Sequence, residues 1–311
     1  VAERKPEIVD SQGVVNTPKN IADIIVKTTL TPLFSDEKFT EWDSYRIADI
    51  CCGSGNFLLS AYEFIINRYI EYYMKNCLDM AIQKGLLISD VGNNFKLSYE
   101  KKREILQNNI WGVDIDILAV EVAKFSLLIK LIEDSSLYEM ESFVKNNNCR
   151  ILPSLDNNIK NGNSLVDEKY IEFNSNILND PEMVEKIKIF NWKNEFEREK
   201  FDAIVGNPPY IRVQNMVHFS ENEYEYYKSE VSKYETAKSD LLDKYFLFME
   251  KGLQLLKPKG KMGYIIPHKF MLIKSGASLR KLLSEKKCVK QIIHFGTEQV
   301  FRGRSTYTCL L

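Results

Sequence analysis

Short apolar runs rich in Ile and Val alternate along the chain with longer segments whose apolar residues recur three or four positions apart. That alternation is the pattern of parallel strands joined by crossover helices, so one α/β sheet is predicted. Strands are predicted at residues 46–51, 110–114, 158–160, 201–206, 261–267, 289–295 and 306–311, the third being weak. Helical periodicity covers residues 18–29, 56–74, 117–132, 241–256 and 278–284. Three stretches, 75–107, 134–148 and 212–239, fit the alternation poorly and read as insertions. The third is crowded with Tyr and Glu (Glu221-Asn-Glu-Tyr-Glu-Tyr-Tyr227) and is either a functional loop or a solvated amphipathic helix.

The 311 residues, 44% of them hydrophobic and 27% charged, suffice for two domains or for one large α/β domain with insertions. Disorder, collagen and a disulfide miniprotein are excluded. No apolar run approaches the roughly 18 to 20 residues of a membrane helix, and the start, Val1-Ala-Glu-Arg-Lys-Pro6, has no signal-peptide core. A soluble, cytoplasmic protein without a membrane partner is expected. The six cysteines (Cys51, Cys52, Cys77, Cys149, Cys288, Cys309) show no C-x-x-C spacing and two are adjacent. Reduced, buried thiols suit that arrangement better than a zinc knuckle or a disulfide framework, and no metal site is expected.

With 42 basic and 43 acidic residues, the net charge of −1 argues against coating nucleic acid by bulk electrostatics. The average hides an asymmetry. Residues 251–311 hold 13 Lys or Arg against Glu285 and Glu298, a local +11, so a polyanion is expected to bind toward the C-terminal end. Both ends read as cut: the chain starts with Val and stops at Thr306-Tyr-Thr-Cys-Leu-Leu311, inside a predicted strand.

Candidate chemistry sits at predicted strand ends. Arg46-Ile-Ala-Asp-Ile-Cys-Cys-Gly-Ser-Gly-Asn-Phe-Leu-Leu59 runs a strand into a tight Gly53-x-Gly55 turn and then a helix, whose N-terminus offers unpaired N–H groups to a ligand. Such turns also close ordinary strand-to-helix junctions, and the third glycine of the dinucleotide fingerprint is replaced by Phe57 or Leu58. Asp49 precedes the turn; an acid there repels a pyrophosphate and suits a cofactor with a cationic amino group. Ile110-Trp-Gly-Val-Asp114-Ile-Asp116 ends in a second acid able to accept from both hydroxyls of a ribose. Helix capping is the competing role, and Asp116 fits it better than Asp114. Gly162-Asn163-Ser164-Leu165 offers a side-chain amide at a third strand end, or merely a turn.

The strongest signal is Phe201-Asp-Ala-Ile-Val-Gly-Asn207-Pro208-Pro209-Tyr210. Two prolines after Asn207 make a rigid extended elbow, because Pro fixes φ and biases its predecessor away from helix. The Asn207 side-chain oxygen and the Pro208 carbonyl then form a fixed pair of acceptors suited to an exocyclic amine. Tyr210 adds a planar ring for stacking beside it. A proline-rich turn with a surface tyrosine is the plainer alternative.

The series Asn16-Thr17-Pro18, Asp49 to Gly55, Asp114, Gly162-Asn-Ser-Leu165, Asn207-Pro-Pro-Tyr210 and Asp240-Leu-Leu242 to Pro267 resembles adenine-N6 DNA methyltransferases with the gamma order of motifs, cofactor binding before catalysis. It looks most like the methyltransferase portion of the fused type II (type IIG) restriction-modification enzymes, from about Gly13 to Leu311. The resemblance implies a Rossmann-like, seven-stranded, mostly parallel sheet with helical insertions, and S-adenosylmethionine as cofactor. Residues 1–45 would then be an N-terminal segment carrying the Thr17-Pro18 motif, and residues 46–311 the catalytic domain. Thr17 would hold the methionine carboxylate, Asp49 and the Gly53–Gly55 turn the methionine end, Asp114 the ribose and Asn163 the adenine amine. Many smaller relatives carry Asp where Asn163 stands. Asn207, Pro208, Pro209 and Tyr210 would bind an adenine flipped out of double-stranded DNA, and the basic stretch from Lys251 to Arg304 would anchor phosphates.

A target-recognition domain beyond residue 311, and a nuclease fused to the full-length enzyme, are further implications. Within the chain no D…E-x-K nuclease arrangement is found, since 36–38 and 167–169 lack the spacing and strand context. A second aromatic to sandwich the base is not identified; Phe270 is a candidate whose competing role is core packing. Protein glutamine N5-methyltransferases and some guanine-N2 RNA methyltransferases share Asn-Pro-Pro-Tyr. The Asn16-Thr17-Pro18 segment, the insertions and the basic stretch favour DNA, and the intact elbow speaks against a degenerate scaffold.

Overall fold

The computed structural model describes residues 17–89, 94–238, 242–295 and 308–310. Asn16, Asp240, Leu241, Glu298 and Arg304, singled out above, lie outside the described residues, as does part of the last predicted strand. α1 (Lys19–Leu30) leads through a 3-10 stretch into β1 (Ile47–Asp49) and α2 (Asn56–Asn76). There follow an antiparallel pair, β2 (Leu87–Ser89) and β3 (Phe95–Leu97), then α3 (Tyr99–Asn109), β4 (Ile110–Asp114), α4 (Ile117–Ile132), α5 (Leu137–Asn147) and β5 (Ile159–Asn161). Short helical turns connect to β6 (Phe201–Gly206), α6 (Glu221–Lys228), α7 (Lys244–Leu255), β7 (Leu256–Pro267), α8 (Ala277–Lys286), β8 (Ile293–His294) and β9 (Thr308–Leu310).

Seven strands form one sheet in the order β5-β4-β1-β6-β7-β9-β8. The first five pair in parallel, and β9 runs antiparallel to β7 and to β8. The strand order reverses beside β1, between β4 on one side and β6 on the other. In open α/β sheets the crevice at such a switch point, outside the carboxyl ends of the strands, is where ligands bind. Residue alternation in the strands feeds two cores. Ile47, Ala203, Val205 and Ile265 face α1, α2 and α4, while Ala48, Ile204 and Ile266 face α7 and α8. Each large apolar side chain withdrawn in this way contributes about 1.5 to 3 kcal/mol. Among the described residues no helix is long and apolar enough to cross a membrane.

All three poorly fitting stretches contain regular helix. α3 lies in the first and was hidden by its own composition: its buried residues include Lys101 and Lys102 beside Ile105 and Leu106. Lys102 buries its stem and donates from Nζ to the Glu133 carbonyl (2.7 Å) and to Ser135 Oγ (2.8 Å). α5 fills the second, opened by a capping box between Ser136 and Glu139. In the third, α6 is not solvated. Glu223, Tyr226 and Tyr227 are buried; Lys244 pairs with Glu223 at 2.9 Å, and Glu250 accepts from the main-chain N–H groups of Glu235 and Thr236.

Two predictions about residues 251–311 are corrected. The basic stretch is not one surface. Lys251 is buried in α7, and Lys257 pairs with Asp202 at 2.7 Å. Leu256 is in register with Phe201 at the start of β6, so 257–261 lie at the sheet edge opposite Asn207. Nor are all the thiols buried: Cys288 is exposed, while Cys52 and Cys309 are buried, and all six are free.

Candidate active site

Every candidate residue among those described, apart from Thr17 just ahead of α1, follows or ends one of the parallel strands at the carboxyl edge of the sheet. After β1 the chain turns through Gly53 (φ +51°) and Gly55 (φ +90°), both left-handed. Gly55 is the residue before α2, and a Cβ on it would stand 3.0 Å from the Ala123 Cβ of α4. Gly53 has open space where its side chain would be, so a ligand can approach the main chain there.

Two carboxylates flank this turn. Asp114, at the end of β4, accepts from the Gly53 N–H (2.8 Å) and the Asp116 N–H (2.9 Å). Asp116 caps α4 by accepting from the Leu118 N–H, which leaves Asp114 to the site. Asp49 is buried and accepts from the Cys51 N–H at 3.0 Å. Burial pushes the Asp49 carboxyl up to about 7; the Cys51 N–H opposes that shift and the neighbouring Asp114 charge adds to it. Burial likewise raises Asp114, against the pull of N–H groups. No ion pair among the described residues involves either acid. The pair is thus an acidic cradle suited to a cation, which would favour its ionised form, and to hydroxyl donors. Burial and these acids push the adjacent thiols Cys51 and Cys52 well up, which disfavours the thiolate form.

The elbow after β6 meets this cradle. A Cβ on Gly206 would stand 2.7 Å from Asp49 Oδ1, so only glycine lets the two strand ends approach so closely. Asn207 Nδ2 donates to Thr17 Oγ1 at 3.0 Å, joining residues 190 positions apart. Thr17 is buried, and its carbonyl accepts from Asn56 Nδ2 at the start of α2 (3.3 Å). Pro208 is buried. The Tyr210 hydroxyl donates to the Ile265 carbonyl of β7 (3.0 Å) and its ring meets Tyr245 edge-on, centroids 6.1 Å apart. These bonds fix the tyrosine from its hydroxyl end. Asn163, after β5, is buried with Oδ1 accepting from the Leu165 N–H (3.1 Å), while Ser164 Oγ donates to the Ile50 carbonyl. The structure therefore gives Asn163 a local turn-forming bond besides any ligand. Phe270 is 2% exposed in the core, so it is not a face for a base.

Sequence reasoning missed Asn56, Gly206 and the tyrosines that tie residues 212–239 to the site. Tyr226 donates to Asp167 and Tyr234 to the Leu165 carbonyl, which binds this segment to the turn carrying Asn163. Gly206, directly before the elbow, was the one legible signal. Among the described residues no cluster of His, Cys, Asp or Glu is placed to hold a metal ion.

The family model for the Eco57I restriction-modification methylase matches residues 108–301. The chain is 38% identical over 309 residues to the type II restriction enzyme and methyltransferase RM.Eco57I of Escherichia coli, covering 99% of this chain and 28% of that protein. It is 24% identical to a putative type II restriction enzyme and methyltransferase, RM.MjaORFECS2P, of Methanocaldococcus jannaschii, covering 87% of this chain and 30% of that one. The chain thus spans less than a third of either relative. Its fold is like that of DrdV in a DrdV–DNA complex, with a TM-score of 0.59 and 15% identity over 98% of this chain and 27% of the other. The chain belongs to the Eco57I restriction-modification methylase family.

Proposed function

We propose that the chain is the methyl-transferring part of a restriction-modification enzyme, moving a methyl group from S-adenosylmethionine to the N6 amine of an adenine flipped out of double-stranded DNA. The observation that carries this reading is the 3.0 Å bond between Asn207 and Thr17, which brings the Asn-Pro-Pro-Tyr elbow against the cofactor motif beside Asp49.

The residues fit that cofactor. Two carboxylates, Asp49 buried and Asp114 half-buried, without an ion-pair partner among the described residues, complement a cationic methionine end and a ribose. Gly53 leaves room for close approach. In this reading Asp49 and the glycine turn hold the methionine end, Thr17 the carboxylate, Asp114 the ribose and Asn163 the adenine edge. When bound, S-adenosylmethionine supplies a methyl group on a sulfonium, open to in-line displacement. Asn207 and the Pro208 carbonyl accept hydrogen bonds from the target amine, pyramidalising it and aiming its lone pair. No early general base is required, because the amine proton becomes acidic only as the methyl arrives. Tyr210 offers a ring to the extruded base, whose unstacking costs a few kcal/mol.

Phosphate contacts at the site would come from cations near the end of β7, Lys269 and Lys274 among them, rather than from the whole basic stretch. A target-recognition domain and a nuclease on the same polypeptide complete the proposal; the E. coli relative is both restriction enzyme and methyltransferase. The test offers labelled cofactor and the full-length protein to duplex DNA, to a glutamine-bearing peptide and to RNA. Label in N6-methyldeoxyadenosine is expected. Label in glutamine or in guanine N2, with none in DNA, would overturn the reading.

A further inference from the structure

α4 carries two apolar faces. Val120, Ala123, Leu127 and Leu131 are buried against α2, α3 and the β4–β5 edge of the sheet. Leu118, Val122, Phe125 and Ile129, half a turn round the helix at about 100° per residue, point the other way. Together with Ile117 they are between 45% and 65% exposed. Isolated exposed apolar side chains are ordinary; four in register along one helix are not. Their spacing of four, three and four is the 3.5-residue repeat of a helix–helix seam.

The surroundings narrow the occupant. Lys124 is paired with Glu121 (3.0 Å) and Asp156 (2.6 Å), and Lys130 with Glu63 (3.0 Å) and Glu133 (2.5 Å). The cations flanking the seam are thus neutralised by the protein's own carboxylates, which disfavours a nucleic acid or an anionic membrane. Five such side chains offer on the order of half the ~800 Å² that each partner of a stable two-chain complex buries. That is too little for a free partner or a second copy, and enough for a tethered segment, whose effective concentration replaces missing area. Relatives aligned along most of this chain supply such a tether, since the chain makes up only 28% and 30% of their lengths.

We propose that the Leu118–Val122–Phe125–Ile129 seam is the docking site for an amphipathic helix of the same polypeptide, outside residues 1–311, with apolar residues at the same spacing. This rests on the reading that the chain is part of a longer enzyme. The docked helix would lie beside the cofactor end of the site, because Leu118 stands four positions beyond Asp114.

The test places the photo-crosslinker p-benzoyl-L-phenylalanine at Phe125 of the full-length protein and, separately, at Leu118 and Ile129, with capture sites mapped by peptide mass spectrometry. The expected result is one dominant intramolecular product on a segment outside residues 1–311, with the Leu118 and Ile129 probes landing about eleven residues apart on it. Capture of a second copy, of added duplex DNA or of residues within 1–311, or photoactivation without any adduct, would overturn the proposal. Neither cofactor nor methyl transfer enters the readout, so its failure and a failure of the proposed activity are distinguishable.

Discussion

At the ends of β1 and β4, Asp49, buried, and Asp114, half-buried, are carboxylates held by main-chain N–H groups. At the end of β6, the Asn207–Tyr210 elbow carries no charge and owes its shape to two prolines and to the bond from Tyr210 to Ile265. The cradle keeps its electrostatic energy in reserve: burial raises the Asp49 carboxyl to about 7, and the Asp114 charge adds to the shift. The elbow keeps geometry in reserve instead. On the proposed reading the two regions act on different quantities, the cradle on cofactor affinity and the elbow on the rate of transfer, and each can be disturbed alone.

The largest effect is expected from Asn207→Ala. Loss of an acceptor that strengthens in the transition state should lower single-turnover methyl transfer by about two to three orders of magnitude. Cofactor affinity should change only a few-fold, through the lost bond to Thr17; rapid-quench kinetics and calorimetry on one preparation check both. If affinity and rate fall together, the elbow has collapsed and the division fails.

Asp114→Ala should weaken S-adenosylmethionine binding by more than tenfold, the loss of a charged acceptor worth roughly 1.5 to 3 kcal/mol. An unchanged dissociation constant would remove Asp114 from the cradle. Next comes pH. A carboxyl with a folded pKa near 7 is protonated below that value, and a cationic ligand requires it ionised. Affinity should therefore rise by about tenfold per pH unit up to about 7 and flatten above. Asp49→Asn should abolish the slope. The same raised pKa gives the ligand-free fold stability at low pH that is lost as pH climbs from the ordinary carboxylate range through 7.

Tyr210→Phe sharpens the comparison from the smallest side. It keeps the ring but removes the hydrogen bond to Ile265, costing about 1 kcal/mol of stability by thermal unfolding and leaving cofactor affinity untouched.

The cradle and the elbow differed in legibility as well. Both lie in short stretches where strand, turn and chemistry are consecutive, so β4, β6 and the Asp116 cap stood where residue order put them. The link between them was illegible. Thr17 and Asn207 meet only because α1 packs on the β6–β7 side of the sheet, and no local pattern encodes a contact across 190 positions. α3 escaped because lysines occupy part of its buried face, and the 212–239 segment because its tyrosines are anchored by acceptors far away in sequence. β7 starts at Leu256 rather than at residue 261, since Pro258 interrupts the apolar run that marks the strand.

The central claim, that cradle and elbow contribute independently, is tested most directly by a double-mutant cycle of Asp114→Ala and Asn207→Ala on kcat/KM for methyl transfer by the full-length protein. Independent regions predict losses that add to within about 0.5 kcal/mol. A double variant no worse than the poorer single variant would show that the two act as one unit, and would contradict the account.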